Sequence, residues 1–174
     1  MDEVVKGIAS AAVQNLTRVQ MEMGSKNAFS VMDDADIDLA VSLALGGEFG
    51  GSGQKCTASL RLIVHQGVHD QFVDKLVARA KAMKVGHALE VGIQIGPVVS
   101  EQQLSENMAY VDLAAKEGAE RLCGGERLEM TIDGYYMTSG VFVGTKNVMC
   151  INRGEMFALL ACVIPVAGYD EALH

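Results

Sequence analysis

Apolar side chains along this chain of 174 residues switch between two rhythms, and nothing else in the sequence narrows the fold as much. Short apolar runs of strand length alternate with stripes that recur at the helical period of about 3.6 residues. Val4, Ile8, Ala11, Ala12 and Leu16 make the first stripe and predict an amphipathic helix from Val4 through Leu16. Ala28 to Met32 reads as a short buried strand. Asp33, Asp34 and Asp36 then offer cap residues to a helix through Ile37, Ala40, Val41, Ala44 and Leu45, with Gly46 and Gly47 marking its end.

The alternation continues. Leu60 to Val64 predicts a strand, and Val68, Phe72, Val73, Leu76, Val77, Ala80 and Met83 predict a long helix that stops near Gly86. Ser100 with Gln103 three residues later has the form of a capping box, opening a helix through Leu104, Met108, Val111 and Ala115 that Gly118 stops. Ala119 to Cys123 and Ala161 to Val166 read as strands, whereas Glu126 to Gly154 has weak periodicity and is expected to hold turns or a short hairpin. Parallel neighbours need crossover connections, which are usually helical, so this order predicts an α/β fold with a mostly parallel sheet flanked by helices. The length fits one domain, and no internal repeat is present.

Composition excludes several classes of partner. The net charge of -8 and the scattered Lys and Arg residues leave no basic stripe for phosphates, so no nucleic acid is expected. No apolar run is long enough for a bilayer, and the Met-Asp-Glu opening lacks the basic start and hydrophobic stretch of a secretory signal. No membrane partner and a cytoplasmic location are therefore expected. Cys56, Cys123, Cys150 and Cys162 form no Cys-x-x-Cys pair and no ligand spacing, so neither a metal site nor a disulfide framework is expected.

The most unusual local text is Phe49-Gly50-Gly51-Ser52-Gly53-Gln54-Lys55-Cys56-Thr57, where three glycines permit tight backbone geometry just before a cysteine flanked by polar groups. A reactive thiol fits such a place. So does an inert one, since cysteine more often packs as a small buried hydrophobe than attacks a substrate. The glycines do not match a phosphate-binding loop, because neither Gly-x-x-x-x-Gly-Lys-Ser/Thr nor Gly-x-Gly-x-x-Gly is present in the required context. His65 and His69 stand four apart, but Gln66 lies where a zinc-site base is needed and Gly67 interrupts, so a strand-helix junction explains them better. Glu22, in Met21-Glu22-Met23-Gly24-Ser25-Lys26, is a carboxylate among apolar neighbours, a setting in which desolvation favours a general base.

Three motifs in order resemble the aldehyde dehydrogenase family, which keeps Glu-Leu-Gly-Gly-Lys, then Gly-Gln-x-Cys-Thr, then Glu-x-Phe-Gly-Pro. Glu22-Met23-Gly24-Ser25-Lys26 is similar to the first, Gly53-Gln54-Lys55-Cys56-Thr57 matches the second, and Glu155-Met156-Phe157-Ala158-Leu159 is an altered form of the third. Asp33-Asp34-Ala35-Asp36, Arg61-Leu62-Ile63-Val64-His65 and Ile95-Gly96-Pro97-Val98-Val99-Ser100 also resemble the family's connecting text, so the likeness runs over nearly the whole chain. It implies part of a catalytic domain, with the dinucleotide-binding domain expected to be absent. It also implies oxidation of an aldehyde, loosely like the semialdehyde-oxidising members, with NAD or NADP. Cys56 would be the nucleophile and Glu22 the base, while Glu155, Phe157 and Gly24 would face the cofactor. The thiolate would add to the aldehyde carbon, hydride would leave to the nicotinamide, and water would release the acid from a thioester.

Departures from the family pattern set the alternatives. Ser25 replaces a glycine, Ala158-Leu159 replace Gly-Pro, and the family's asparagine oxyanion donor has no counterpart here. A cofactor-free thiol esterase and a non-enzymatic remnant or interaction module are the competing readings. Uncovered apolar surface and an open sheet edge are expected to be resolved by self-association into a homo-oligomer, by swapped elements among other routes.

Overall fold

The structure is a computed structural model that describes residues 2–22, 24 and 26–173. A five-stranded sheet runs in the order β1 (Ala28–Val31), β2 (Arg61–His65), β7 (Leu160–Val166), β6 (Gly140–Val143) and β3 (Glu120–Cys123). β1, β2, β7 and β6 pair in parallel, and β3 closes one edge antiparallel to β6. The mostly parallel α/β sheet expected from the alternation is thus present. A two-stranded hairpin of β4 (Arg127–Leu128) and β5 (Tyr136–Met137) lies apart from it.

Alternation of side chains across the strands assigns the faces. Leu62 and Val64 of β2 with Val163 of β7 point to one side, where α2 (Ile37–Phe49) and α3 (His69–Ala82) pack. Phe49, Phe72 and Leu76 are fully buried there, each worth roughly 1.5–3 kcal/mol relative to exposure. The opposite side carries Ala28, Ser30, Arg61, Ile63, Ile164 and Val166, which with α6 (Tyr169–Ala172) line an open cleft of about 350 Å³.

The helical expectations hold with three differences. α1 (Asp2–Gln14) stops short of Leu16, which takes φ 55°, and its apolar Val4, Ile8 and Val13 are exposed. α2 continues through Gly46 and Gly47 to Phe49, because the second glycine lets Ser59 approach, with the Ser59 N–H donating to the Gly47 carbonyl at 3.3 Å. α4 (Glu101–Lys116) begins at Ser100, whose hydroxyl accepts from the Gln103 N–H at 3.1 Å. The other half of the capping box does not form: the Gln103 side chain instead donates to the Phe157 carbonyl at 3.2 Å. The stretch expected to be turns or a hairpin holds β4, β5 and α5 (Cys150–Arg153), and also β6, an internal strand of the sheet that the weak periodicity hides.

Candidate active site

Because β1, β2 and β7 are parallel and in register, the segments that enter them converge at one end of the sheet. Those segments are the ones singled out in the sequence: Glu22 to Lys26 before β1, the turn around Cys56 before β2, and Glu155 to Leu159 before β7. Met23 and Ser25 of the first segment lie outside the described residues.

The cysteine turn is built from left-handed backbone. After α2 the chain makes one 3₁₀ turn, Gly50–Gly53, in which Gly51, Ser52 and Gly53 take φ of 65°, 59° and 69°. Two of those positions are glycine, which adopts this region without the Cβ clash. Ser52 does so at a cost, and its buried hydroxyl is held by donation to the Gly96 carbonyl at 3.0 Å. Gly53 lies directly on the Ala158 carbonyl, so the altered Ala158-Leu159 turn supports the cysteine turn from beneath. The Gln54 side-chain oxygen accepts from the Val99 N–H at 2.9 Å, and the Ala58 N–H closes the turn on the Lys55 carbonyl at 3.0 Å.

Cys56 emerges exposed at the tip of this turn, and neither its thiol nor its N–H has a hydrogen-bond partner among the described residues. The other cysteines differ. Cys123 and Cys162 are buried, and burial pushes both thiols up, Cys162 to about 12. Cys150 is exposed, but the Glu117 carboxylate, hydrogen-bonded to it and repelling its thiolate, also raises it.

Glu22 is exposed rather than desolvated, and its Oε1 accepts from the Gln20 side-chain amide at 2.8 Å. Gly24, Glu155 and Phe157 do come together: a Cβ at Gly24 would overlap the Glu155 carboxylate and touch the Phe157 ring at 3.5 Å. Glu155 Oε1 is buried without a hydrogen-bond partner among the described residues. The backbone beneath is fixed by α4, from which the Tyr110 hydroxyl donates to the Glu155 carbonyl at 3.0 Å. A cleft of about 230 Å³ opens between them, lined by Gln103, Glu106, Ala109, Tyr110, Glu155, Met156 and Phe157.

Two features have no signature in the sequence pattern. Asn27 bonds through its side-chain amide to the carbonyls of Cys56 and Ala58, at 2.7 and 3.1 Å. Beneath the site, Lys26 and Glu48 are buried, and among the described residues neither the ammonium nor either carboxylate oxygen has a hydrogen-bond partner. Burial lowers Lys26 to about 8, against the opposing influence of Cys162 and Glu48, and burial holds the Glu48 carboxyl well above its usual range. His65 ends β2, accepting from the Gly67 N–H at 3.1 Å, and His69 opens α3 beside Asp70. Among the described residues no group of three or more His, Cys, Asp or Glu side chains is placed to hold a metal, and no helix is long and apolar enough to cross a membrane.

Comparison with known proteins agrees with this arrangement. The model of the aldehyde dehydrogenase family matches residues 2–174. The α-ketoglutaric semialdehyde dehydrogenase of Bacillus subtilis is 37% identical over 175 residues, covering 99% of this chain and 36% of that protein. The chloroplastic betaine aldehyde dehydrogenase of Beta vulgaris is 36% identical over 167 residues, covering 96% of this chain and 33% of that protein. Among solved structures, HpcC of Thermus thermophilus superposes with a TM-score of 0.93 at 36% identity, covering 98% of this chain and 34% of the other. Betaine aldehyde dehydrogenase of Staphylococcus aureus in complex with NAD+ gives a TM-score of 0.93 at 32% identity, with the same two coverages. The chain therefore spans about a third of the length of the relatives it matches.

Proposed function

The chain belongs to the aldehyde dehydrogenase family, and from that premise we propose that it carries the nucleophile and the nicotinamide side of a site that oxidises an aldehyde to a carboxylic acid. One observation carries the reading: the in-register parallel strands bring the Cys56 turn and the Gly24, Glu155 and Phe157 cluster to one end of the sheet. Relatives named for semialdehyde and betaine aldehyde oxidation favour a small polar aldehyde, a semialdehyde among them.

In this proposal the Cys56 sulfur adds to the aldehyde carbon, and the unengaged Cys56 N–H donates to the oxyanion that forms on the aldehyde oxygen. Glu22, exposed and reachable by solvent, takes the proton from the thiol, releases it to solvent, and later takes one from the water that frees the acid. The residues present fit one part of NAD or NADP: the orphaned Glu155 Oε1 is an acceptor suited to a ribose hydroxyl, with the Phe157 ring beside it. When bound, the cofactor accepts the hydride. Gly24, having no side chain, leaves the Glu155 carboxylate room to stand where it does. The remainder of the dinucleotide is proposed to be held by a partner or by further sequence, and the enzyme to be cytoplasmic.

Self-association follows from exposed apolar surface. Val4, Ile8 and Val13 on α1 and the open edge strand β1 are proposed to be covered in a homo-oligomer, with exchanged elements as one route. A monodisperse monomer at high concentration in light scattering would remove this part of the reading.

Calorimetric titration with NAD and with NADP tests the cofactor reading without knowledge of the aldehyde. Saturable micromolar binding, followed by aldehyde-dependent reduction that Cys56→Ala abolishes, is the expected result. Absence of binding would leave the second reading, cofactor-free acyl transfer to Cys56, which the exposed thiol and unengaged N–H favour. A non-enzymatic interaction module would instead show no acylation of Cys56 at all.

A further inference from the structure

The backbone ladder between β1 and β2 begins at Ala28 opposite Arg61, and Asn27 carries the pairing one step further by other means. Its carbonyl accepts from the Arg61 N–H at 3.1 Å. Its side-chain amide donates to the Cys56 carbonyl at 2.7 Å and to the Ala58 carbonyl at 3.1 Å. Both amide protons are therefore engaged on the turn that presents Cys56. No other side chain among the described residues bonds the backbone of residues 55–58.

The position of these two bonds matters. A carbonyl held on the C-terminal side of Cys56 fixes the following peptide plane, and the Ala58 N–H on the Lys55 carbonyl fixes the chain on both sides of Cys56. The direction of the Cys56 Cα–Cβ bond is then set relative to the Cys56 N–H. A nucleophile and its oxyanion donor act together only if both meet one carbonyl group, the carbon and the oxygen respectively, at about 3 Å. We infer that Asn27 is a positioning residue for Cys56, clamping the turn so that Sγ and the backbone N–H converge on one electrophilic carbonyl. This rests on the reading of Cys56 as the nucleophile. It adds to that reading a specific residue outside the reacting groups.

Two reagents separate positioning from a general loss of structure. With p-nitrophenyl acetate the Cys56 thiolate sulfur bonds to the carbonyl carbon, negative charge passes through the carbonyl oxygen, and the ester C–O bond breaks to release p-nitrophenolate. The thiol proton goes to buffer, and an acetyl thioester remains on Cys56. With iodoacetamide a C–S bond forms as the C–I bond breaks, and no oxyanion develops. Rates at Cys56 are followed for both reagents, with the modified residue identified by mass spectrometry.

Asn27→Ala is expected to slow acetylation of Cys56 by about tenfold or more while alkylation stays within about twofold. Asn27→Asp, nearly the same shape but without the two donors, is expected to behave like Asn27→Ala, and it decides the matter by the same comparison if the alanine variant fails to fold. Unchanged acetylation in either variant, or acetylation and alkylation falling together, would overturn the inference. If the unsubstituted protein is alkylated but never acetylated at Cys56, the nucleophile reading itself fails and the positioning role falls with it. Those two failures are told apart by the unsubstituted protein alone.

Discussion

Gly53 rests on the carbonyl of Ala158 so closely that a Cβ at this position would overlap the oxygen. Its φ of 69° also lies where a side chain is strained. The contact joins the turn before β2 to the segment before β7, and the obstacle is backbone, which yields little. Gly53→Ala is therefore expected to lose at least about 2 kcal/mol, from left-handed strain plus displacement of the 158–159 peptide. Urea denaturation midpoints at constant slope measure it. A loss under about 0.5 kcal/mol, the size of an ordinary surface substitution, would mean the contact is loose.

Gly24→Ala meets a different obstacle, the far end of the Glu155 side chain, which can swing aside. Stability is expected to change by less than about 1 kcal/mol, within the range of substitutions that leave the core intact. Any binding of NAD or NADP measured calorimetrically should weaken by about tenfold or more, since one lost charge-assisted hydrogen bond is worth about 1.5–3 kcal/mol. Retained affinity with a displaced Glu155 would remove that carboxylate from the cofactor site.

How much of this is legible in the sequence differs between the sheet and the site. β2, β7 and the helices α2, α3 and α4 follow apolar rhythm, because each buries a continuous face, whereas β1, expected to be buried, is an edge strand in which only Val31 is fully buried. β6 does not show, since Gly140 to Val143 is four residues long and nearly all buried, which leaves no alternation to read. Gly46 and Gly47 suggest a helix end where α2 continues, because local propensity yields to the close approach of Ser59. At the site, Cys56, Glu155 and Phe157 stand out through the order of motifs. Asn27 carries no periodic signal, and the burial of Glu48 shows only when α2 is laid against the segment containing Lys26. Glu22 illustrates the reverse error: apolar neighbours in sequence do not bury it.

Cys150 offers an internal contrast to Cys56. The Glu117 carboxylate accepts from the Cys150 and Ile151 N–H groups at 2.7 and 3.0 Å, which lowers Glu117 itself, and the same carboxylate raises the Cys150 thiol. Thiolate, not thiol, reacts with iodoacetamide. At about pH 8 Cys150 should therefore be alkylated slowly, although it is exposed. Glu117→Gln should speed Cys150 severalfold without changing Cys56, read by site-resolved mass spectrometry. An unaltered Cys150 rate would show that Glu117 does not control it.

Lys26 supplies the pH dependence that tests the buried layer beneath the site. Glu48 from α2, Cys162 from β7 and Arg61 from β2 surround it, and burial lowers it from 10.5 to about 8. Between those values the unfolded chain holds the Lys26 proton while the folded chain has released it. The unfolded state thus binds more protons, and stability from this group rises with pH across the window. Below about pH 8 both states are protonated and the contribution is flat, at its least favourable. Relative to Lys26→Met, which has nothing to titrate there, the native protein should gain on the order of 3 kcal/mol from pH 8 to 10.5. Urea unfolding of both proteins across that range gives the difference directly. Cys162, raised from 9.0 to about 12, acts in the opposite direction above pH 9.0 but is present in both proteins, so it largely cancels. A stability difference independent of pH would mean that Lys26 keeps its proton in the fold, paired with an ionised Glu48.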